Sequence, residues 1–271
     1  MTLVAERTDN VSEISAEEVL ASHFTLVAKP GAIDPILLDG ADGWTSPNPH
    51  PALSLMRWTT TDRDAAAAAL DEVVERFRSE GRGFDWMTGP RCAEAGLVSL
   101  LEERGFIPPP LQVAAMVKRI EPGHPPQDPD GVDIRKVEDL TDARIWGVMA
   151  TGFDIPADVA GIFHDAYAMP SDLQRTDIYA ATVDGGDAPV AVGYLSYIGD
   201  GPTVLLRVSC TLEGNRGRGI YTGVVNRRLH DAARQGRTQC FVHAYSEESR
   251  RCLEHLGFHS VGTLQLHRWR P

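Results

Sequence analysis

The segment Glu121-Pro-Gly-His-Pro-Pro-Gln-Asp-Pro-Asp-Gly131 limits the possible folds of this chain more than any other. Four prolines and two glycines in eleven residues leave no path for a helix or an interior strand. The segment divides 271 residues into two halves of similar size, which agrees with roughly 150 residues per domain. We expect domains at 1–122 and 132–271, joined by a linker at 123–131.

In the second half, Val132 to Val137 reads as a strand. A helix over Leu140–Gly152 follows, with Ala143, Trp146 and Ala150 on one face. Pro156 opens another helix, Ala157 to Met169. Strands are expected at Ile178–Val183, Val190–Ile198 and Thr203–Cys210, separated by Asp184-Gly-Gly-Asp187 and Gly199-Asp-Gly-Pro202, both strong hairpin signals. A glycine-rich turn, a helix to about Gln235, a strand Gln239–Ala244, a helix Glu247–Leu256 and a strand from His259 complete the order βααβββαβαβ. The expected class is α/β, in the mixed α+β sense: a mostly antiparallel central sheet flanked by helices.

The first half ends in the same rhythm. A helix over Ala65–Arg78, a strand Phe84–Thr88, a helix Ala93–Glu103 and a strand Leu111–Val117 are expected. Leu101-Glu-Glu-Arg-Gly-Phe106 then falls where Leu253-Glu-His-Leu-Gly-Phe258 falls in the second half. A short shared motif after the same element order points to tandem duplication.

Composition narrows the function. Apolar residues at 42% suffice for real cores, and a net charge of −12 argues against a nucleic-acid partner. Cys92, Cys210, Cys240 and Cys252 are far apart and show neither zinc-ligand nor disulfide spacing, so no metal is expected. Glu6, Arg7 and Asp9 interrupt any signal-peptide core within Met1–Asn10, and no apolar run nears the ~20 residues that span a bilayer. A cytoplasmic protein without membrane partners is expected, with monomer and homodimer both open. Ala65 to Ala69 reads as helix propensity. Arg227, Arg228, Arg234 and Arg237 read as a solvated basic strip, or one that meets a ribose phosphate or RNA.

The chemistry is carried by Val208-Ser-Cys-Thr-Leu-Glu-Gly-Asn-Arg216-Gly-Arg-Gly-Ile-Tyr221. An Arg-Gly-x-Gly turn between a strand and an amphipathic helix lets successive backbone N–H groups converge on an anion, and the helix N-terminus adds partial positive charge. Arg216 and Arg218 add two cations. A pyrophosphate suits this loop. It is no P-loop, because no Lys-Ser/Thr follows Gly219, and no dinucleotide fingerprint, because three antiparallel strands precede it.

This loop, with Leu256-Gly-Phe258 after the next strand and helix, resembles the GNAT superfamily of N-acyltransferases over about 131–269. The resemblance implies two tandem GNAT-like domains, with the first degenerate: its Thr59-Thr-Thr-Asp-Arg-Asp64 loop lacks glycine. It also implies acetyl-CoA, or another acyl-CoA, as co-substrate. The pyrophosphate would lie on Arg216, Gly217, Arg218, Gly219, Ile220 and Tyr221. The pantetheine arm and thioester would meet Ser209, Cys210, Thr211 and Ser246. Tyr221 departs from the small residue usual at the last loop position. Leu253 stands where many members carry the tyrosine that protonates the leaving thiolate.

Amine attack on a thioester needs a neutral nucleophile, a stabilised oxyanion and a proton for the thiolate. N–H groups around Ser209–Thr211 would serve the oxyanion. Cys252, Ser246 and Tyr245 are candidate acids, each with a plain structural role open to it: a small core-facing thiol, an N-cap and a strand end. His243 is a candidate base or a satisfied structural histidine. Phe153 and Asp154, between the first two helices, are where the resemblance places the acceptor, a small-molecule amine. Asp154 also reads as an N-cap ahead of Pro156. A CoA-binding module without turnover, or the same fold using aminoacyl-tRNA, stands as the alternative.

Overall fold

The computed structural model describes residues 14–25, 31–107, 112–168 and 174–271. The expected element ends at Leu111 and Met169, and the segment 1–10, lie outside them. The first half holds α1 (Ala16–His23), β1 (Asp34–Leu38), β2 (Ala41–Thr45), β3 (Leu55–Trp58), α2 (Arg63–Ser79), β4 (Phe84–Thr88), α3 (Pro90–Glu94), α4 (Val98–Glu103) and β5 (Gln112–Arg119). The second holds β6 (Val132–Lys136), α5 (Ala143–Phe153), α6 (Ala157–Ala168), β7 (Gln174–Val183), β8 (Ala191–Ile198), β9 (Thr203–Thr211), α7 (Ile220–Arg234), β10 (Gln239–Ala244), α8 (Glu247–His255) and β11 (His259–Trp269). The second-half order is the expected one. The proline-rich stretch carries neither helix nor strand up to Val132. The helix expected over Ala93–Glu103 is two short helices, broken where Gly96 takes φ +69°.

The strands form a single sheet in the order β1-β2-β3-β4-β11-β5-β10-β9-β8-β7-β6. Each half ends in a strand that crosses to the other. β11 pairs with β4, β5 pairs with β10, and the two exchanged strands pair with each other at the centre. The cores follow the exchange. Trp269 of β11 packs among Phe84, Trp86 and Phe106 of the first half, while Met116 of β5 packs with Val204, Val225 and Leu253 of the second.

The repeated Leu-Glu-x-x-Gly-Phe motif has one geometry in both places. Phe106 N–H donates to Leu101 O and Phe258 N–H to Leu253 O, each at 3.0 Å, and the glycines take φ +80° and +82°. This helix ending needs a left-handed residue, which explains the glycine, and a buried following residue, which explains the phenylalanine. The repeat is therefore structural.

Candidate functional site

β9 and β10 run in parallel from Thr203–Gln239 to Leu206–Val242 and then separate. β8 accompanies β9 on to Thr211, and β5 accompanies β10 to Ala244. The backbone of Arg207 to Thr211 facing β10 thus has no strand partner, and a wedge opens between two strands of a continuous sheet. At its head lies a β-bulge. Tyr194 faces Arg207 and Gly193 faces Ser209, so Val208 is an extra residue. Its φ is +41°, a left-handed value that a β-branched residue avoids at real cost.

Arg228 of α7 braces this bulge. Its side chain is 0% exposed, and no carboxylate bridges to it among the described residues. Its Nη1 donates to Tyr194 O (3.0 Å) and Arg207 O (3.4 Å), its Nη2 to Ser209 Oγ (2.8 Å) and its Nε to Val224 O (3.2 Å). Burial lowers its pKa. The guanidinium fits because residue 193 is glycine: a Cβ there would lie 2.8 Å from Arg228 Cζ. The expected basic strip is corrected in part, since only Arg234 of its four arginines is exposed. Arg228 is core, Arg227 pairs with Asp128 (2.8 Å), and Arg237 donates to Gly199 O and Gly201 O.

Past Thr211 the chain turns through Glu213–Asn215 into the glycine loop. Gly217 (φ +77°) and Gly219 (φ +74°) both take left-handed backbone, and Gly219 is the N-cap of α7 with no side-chain cap bond. The first N–H groups of α7, from Ile220 onward, are left for a ligand or water. Arg216, Gly217, Arg218 and Gly219 are exposed; Arg216 Nε donates to Thr211 O (3.2 Å), and Arg218 pairs with Asp184 (3.1 Å). Ile220 is buried, and Tyr221 OH meets Ser249 Oγ of α8 at 3.1 Å. These features suit a pyrophosphate: uncapped amides, open space at the Gly217 Cα, and flanking cations.

The structure distributes the remaining expected residues over both faces of the sheet. Ser209 turns to Arg228 under α7, whereas Cys210 turns to α5, its thiol 3.6 Å from Val148 O. Burial raises the Cys210 pKa to about 12, so it stays a thiol. Thr211 Oγ1 is buried without a partner. Gly152 packs so closely on Cys210 that a Cβ would lie 2.8 Å from it, bringing the turn after α5 beside the end of β9. There Phe153 is 45% exposed, and Asp154 closes α5 as its C-cap at φ +51°. The N-cap reading of Asp154 is thereby corrected: its N–H donates to Ala150 O, inside the preceding helix.

Ser246 is the N-cap of α8, its Oγ accepting from Ser249 N–H at 3.1 Å. Cys252 is half-buried, facing Thr222 of α7 (3.6 Å). Leu253 is 0% exposed in the core below. His243 lies on the opposite face from α7, its Nε2 3.0 Å from Val19 O of α1. Burial, reinforced by the Arg207 charge, lowers its pKa to about 3, which leaves it neutral and weakly basic. Burial raises the pKa of Tyr245, so its hydroxyl keeps its proton. Free backbone at the Ser209–Thr211 strand end was anticipated from the resemblance, whereas the bulge at Val208 and its brace Arg228 were not; a glycine inside β8, Gly193, was the one available sign.

Among the described residues no group of His, Cys, Asp and Glu is placed to hold a metal, and no helix is long and apolar enough to cross a membrane. No protein-family model matches the sequence, and no curated protein matches it. Solved structures do match its fold. A GCN5-related N-acetyltransferase from Kribbella flavida aligns at TM-score 0.69 and 17% identity, over 95% of this chain and 96% of that one. Another from Sphaerobacter thermophilus aligns at 0.64 and 16%, over 96% and 87%. A tandem GNAT protein from the clavulanic acid biosynthesis pathway aligns at 0.65 and 13%, over 90% and 85%. The chain has the GNAT fold, in its tandem form.

Proposed function

We propose that the chain is an acyl-CoA-dependent N-acyltransferase, using acetyl-CoA, that acylates the amine of a small metabolite by direct attack on the thioester. The observation that carries this reading is the bulge at Val208, at the head of a wedge whose lower strand runs into an uncapped glycine loop. One continuous path leads from an anion cradle to strained, unpaired backbone. Cofactor binding is assigned to 132–271, with the first half shaping the acceptor side.

Bound acetyl-CoA supplies an activated thioester carbonyl. In this reading the amides of Gly219, Ile220 and Tyr221 hold its pyrophosphate, with Arg216 and Arg218 flanking. Backbone N–H groups at Val208–Ser209 stabilise the oxyanion, a contribution worth roughly 3–4 kcal/mol where such donors have been removed. Arg228 keeps that backbone in place. With Ser246 Oγ engaged as a cap and Leu253 without a proton, Cys252 and Tyr245 are the remaining acids. Tyr245→Phe or Cys252→Ala will lower the maximal rate ~10²-fold at unchanged acetyl-CoA affinity if that side chain is the acid. An unaltered rate removes it.

The buried Leu253 favours a second reading, CoA binding without turnover. Calorimetric titration with acetyl-CoA and desulfo-CoA, followed by thiol release over a panel of amines, separates the two. Binding with release supports the enzyme, and binding without release supports the module. No binding defeats both and leaves the tRNA-donor alternative.

A further inference from the structure

Arg207, one residue before the bulge, points to the face opposite α7 and is 6% exposed. Its Nη2 donates to Ser22 O (3.1 Å) and Thr25 Oγ1 (3.0 Å), its Nη1 to His23 O (3.4 Å), and its Cζ lies 5.1 Å from the Tyr167 ring centroid. No carboxylate bridges to it among the described residues. The carbonyls at the C-terminal end of α1 satisfy part of the guanidinium, but its Nε is buried with no partner.

Two neighbours share this lack. His23 touches His243 (ring centroids 4.7 Å) and Trp44 (5.7 Å). His23 Nδ1 and Trp44 Nε1 are also buried without partners. Buried polar nitrogens are almost always satisfied, and three in one run of contacts, beside an unneutralised cation, ask for a common partner. An indole N–H and a guanidinium Nε–H can only donate, so the partner must accept and should carry negative charge. A carboxylate meets both demands, and its pairing with arginine is among the stronger hydrogen-bonded contacts.

We propose that Arg207, with His23 and Trp44, binds a carboxylate of the acceptor, so that the substrate class is amines that also carry a carboxylate. This rests on the N-acyltransferase reading and extends it. The anion cradle lies on the α7 side of the sheet and Arg207 on the other, so donor and acceptor reach the wedge from opposite faces. Trp44 and α1 come from the first half, which thereby acquires a role in recognition.

The test uses saturation-transfer NMR on the full chain. The probes are the twenty common L-amino acids with β-alanine, 4-aminobutyrate and 4-aminobenzoate, against the same set with carboxyl groups amidated. We expect at least one acid to bind while its amide does not. Arg207→Met should weaken that acid at least tenfold. Trp44→Phe keeps a ring and removes only the N–H; it should weaken the acid several-fold, and it decides the matter if Arg207→Met does not fold. Amides binding as well as acids, no binding by any acid, or full affinity in folded Trp44→Phe overturns the proposal. Acetyl-CoA titration of the wild-type protein alongside keeps the two readings apart: cofactor binding without acid binding defeats only the carboxylate site, and the converse defeats only the cofactor assignment.

Discussion

Helices α2 and α7 hold the same position in their halves. Each links two parallel neighbouring strands, β3 with β4 and β9 with β10. Their first turns differ. α2 begins on Asp62, whose carboxylate accepts from Ala65 N–H at 2.8 Å, so an internal anion already sits on the helix terminus. α7 begins on Gly219, with no side chain there and two left-handed glycines leading in. β3 pairs with its antiparallel neighbour without a register shift, whereas β9 carries the bulge. One fold unit therefore closes its helix terminus with its own side chain and the other leaves it open. The difference lies in a few residues, while the surrounding elements are shared.

Gly219→Asp gives α7 the start that α2 has. Asp tolerates left-handed backbone better than most residues, so Gly219→Asp should fold. It should lower acetyl-CoA affinity at least 100-fold by calorimetry, about 2.7 kcal/mol. Undiminished affinity in the folded variant would show that the loop holds something else.

Next in size, Gly193→Ala places a Cβ 2.6 Å from Val224 Cγ1 and 2.8 Å from Arg228 Cζ. We expect a loss of about 1–3 kcal/mol in denaturant unfolding, as for other overpacked cores, together with weaker acetyl-CoA binding as the brace moves.

Acid sensitivity should be common to both halves. Burial lowers His243 to about 3 and His267, beside Thr88, to about 4. Between those values and the ordinary 6.5 the unfolded chain binds more protons. Stability is thus full above pH 6.5 and falls as the pH drops below it, by about 1–2 kcal/mol per histidine at pH 5. Melting curves at pH 7 and pH 5 read this loss, and His243→Gln should flatten it.

The smallest effect tests the converse exchange. Asp62→Ala should cost about 1 kcal/mol, the worth of a helix cap, without creating acetyl-CoA affinity, because the loop Thr59–Asp62 leading into α2 holds no glycine.

Local signals were legible in the sequence. The Leu-Glu-x-x-Gly-Phe repeat, the proline-rich break and the Arg-Gly-Arg-Gly turn each depend on residue types that the backbone itself demands, such as glycine at positive φ. What stayed hidden depends on distant contacts. β1 (Asp34-Pro-Ile-Leu-Leu38) and β2 (Ala41-Asp-Gly-Trp-Thr45) hold no clear alternation and are strands because they have neighbours. Val208 is a residue that prefers extended backbone, and only the surrounding sheet holds it at +41°. Arg228 reads as a surface cation until the space left by Gly193, thirty-five positions earlier in the chain, is seen to receive it.

The exchange of β5 and β11 has a consequence for how the molecule is made. Trp269↔Phe84 and Gln265↔Thr88 are partners separated by most of the chain. During synthesis, β4 waits on the ribosome with one edge bare until β11 emerges, after every other strand. An exposed edge is a template for the wrong partner, and pairings this distant form slowly. The first half on its own therefore lacks both a sheet partner for one edge of β4 and the Trp269 that packs into its core. A stop codon within His259–Trp269 would unmake the half that was translated first.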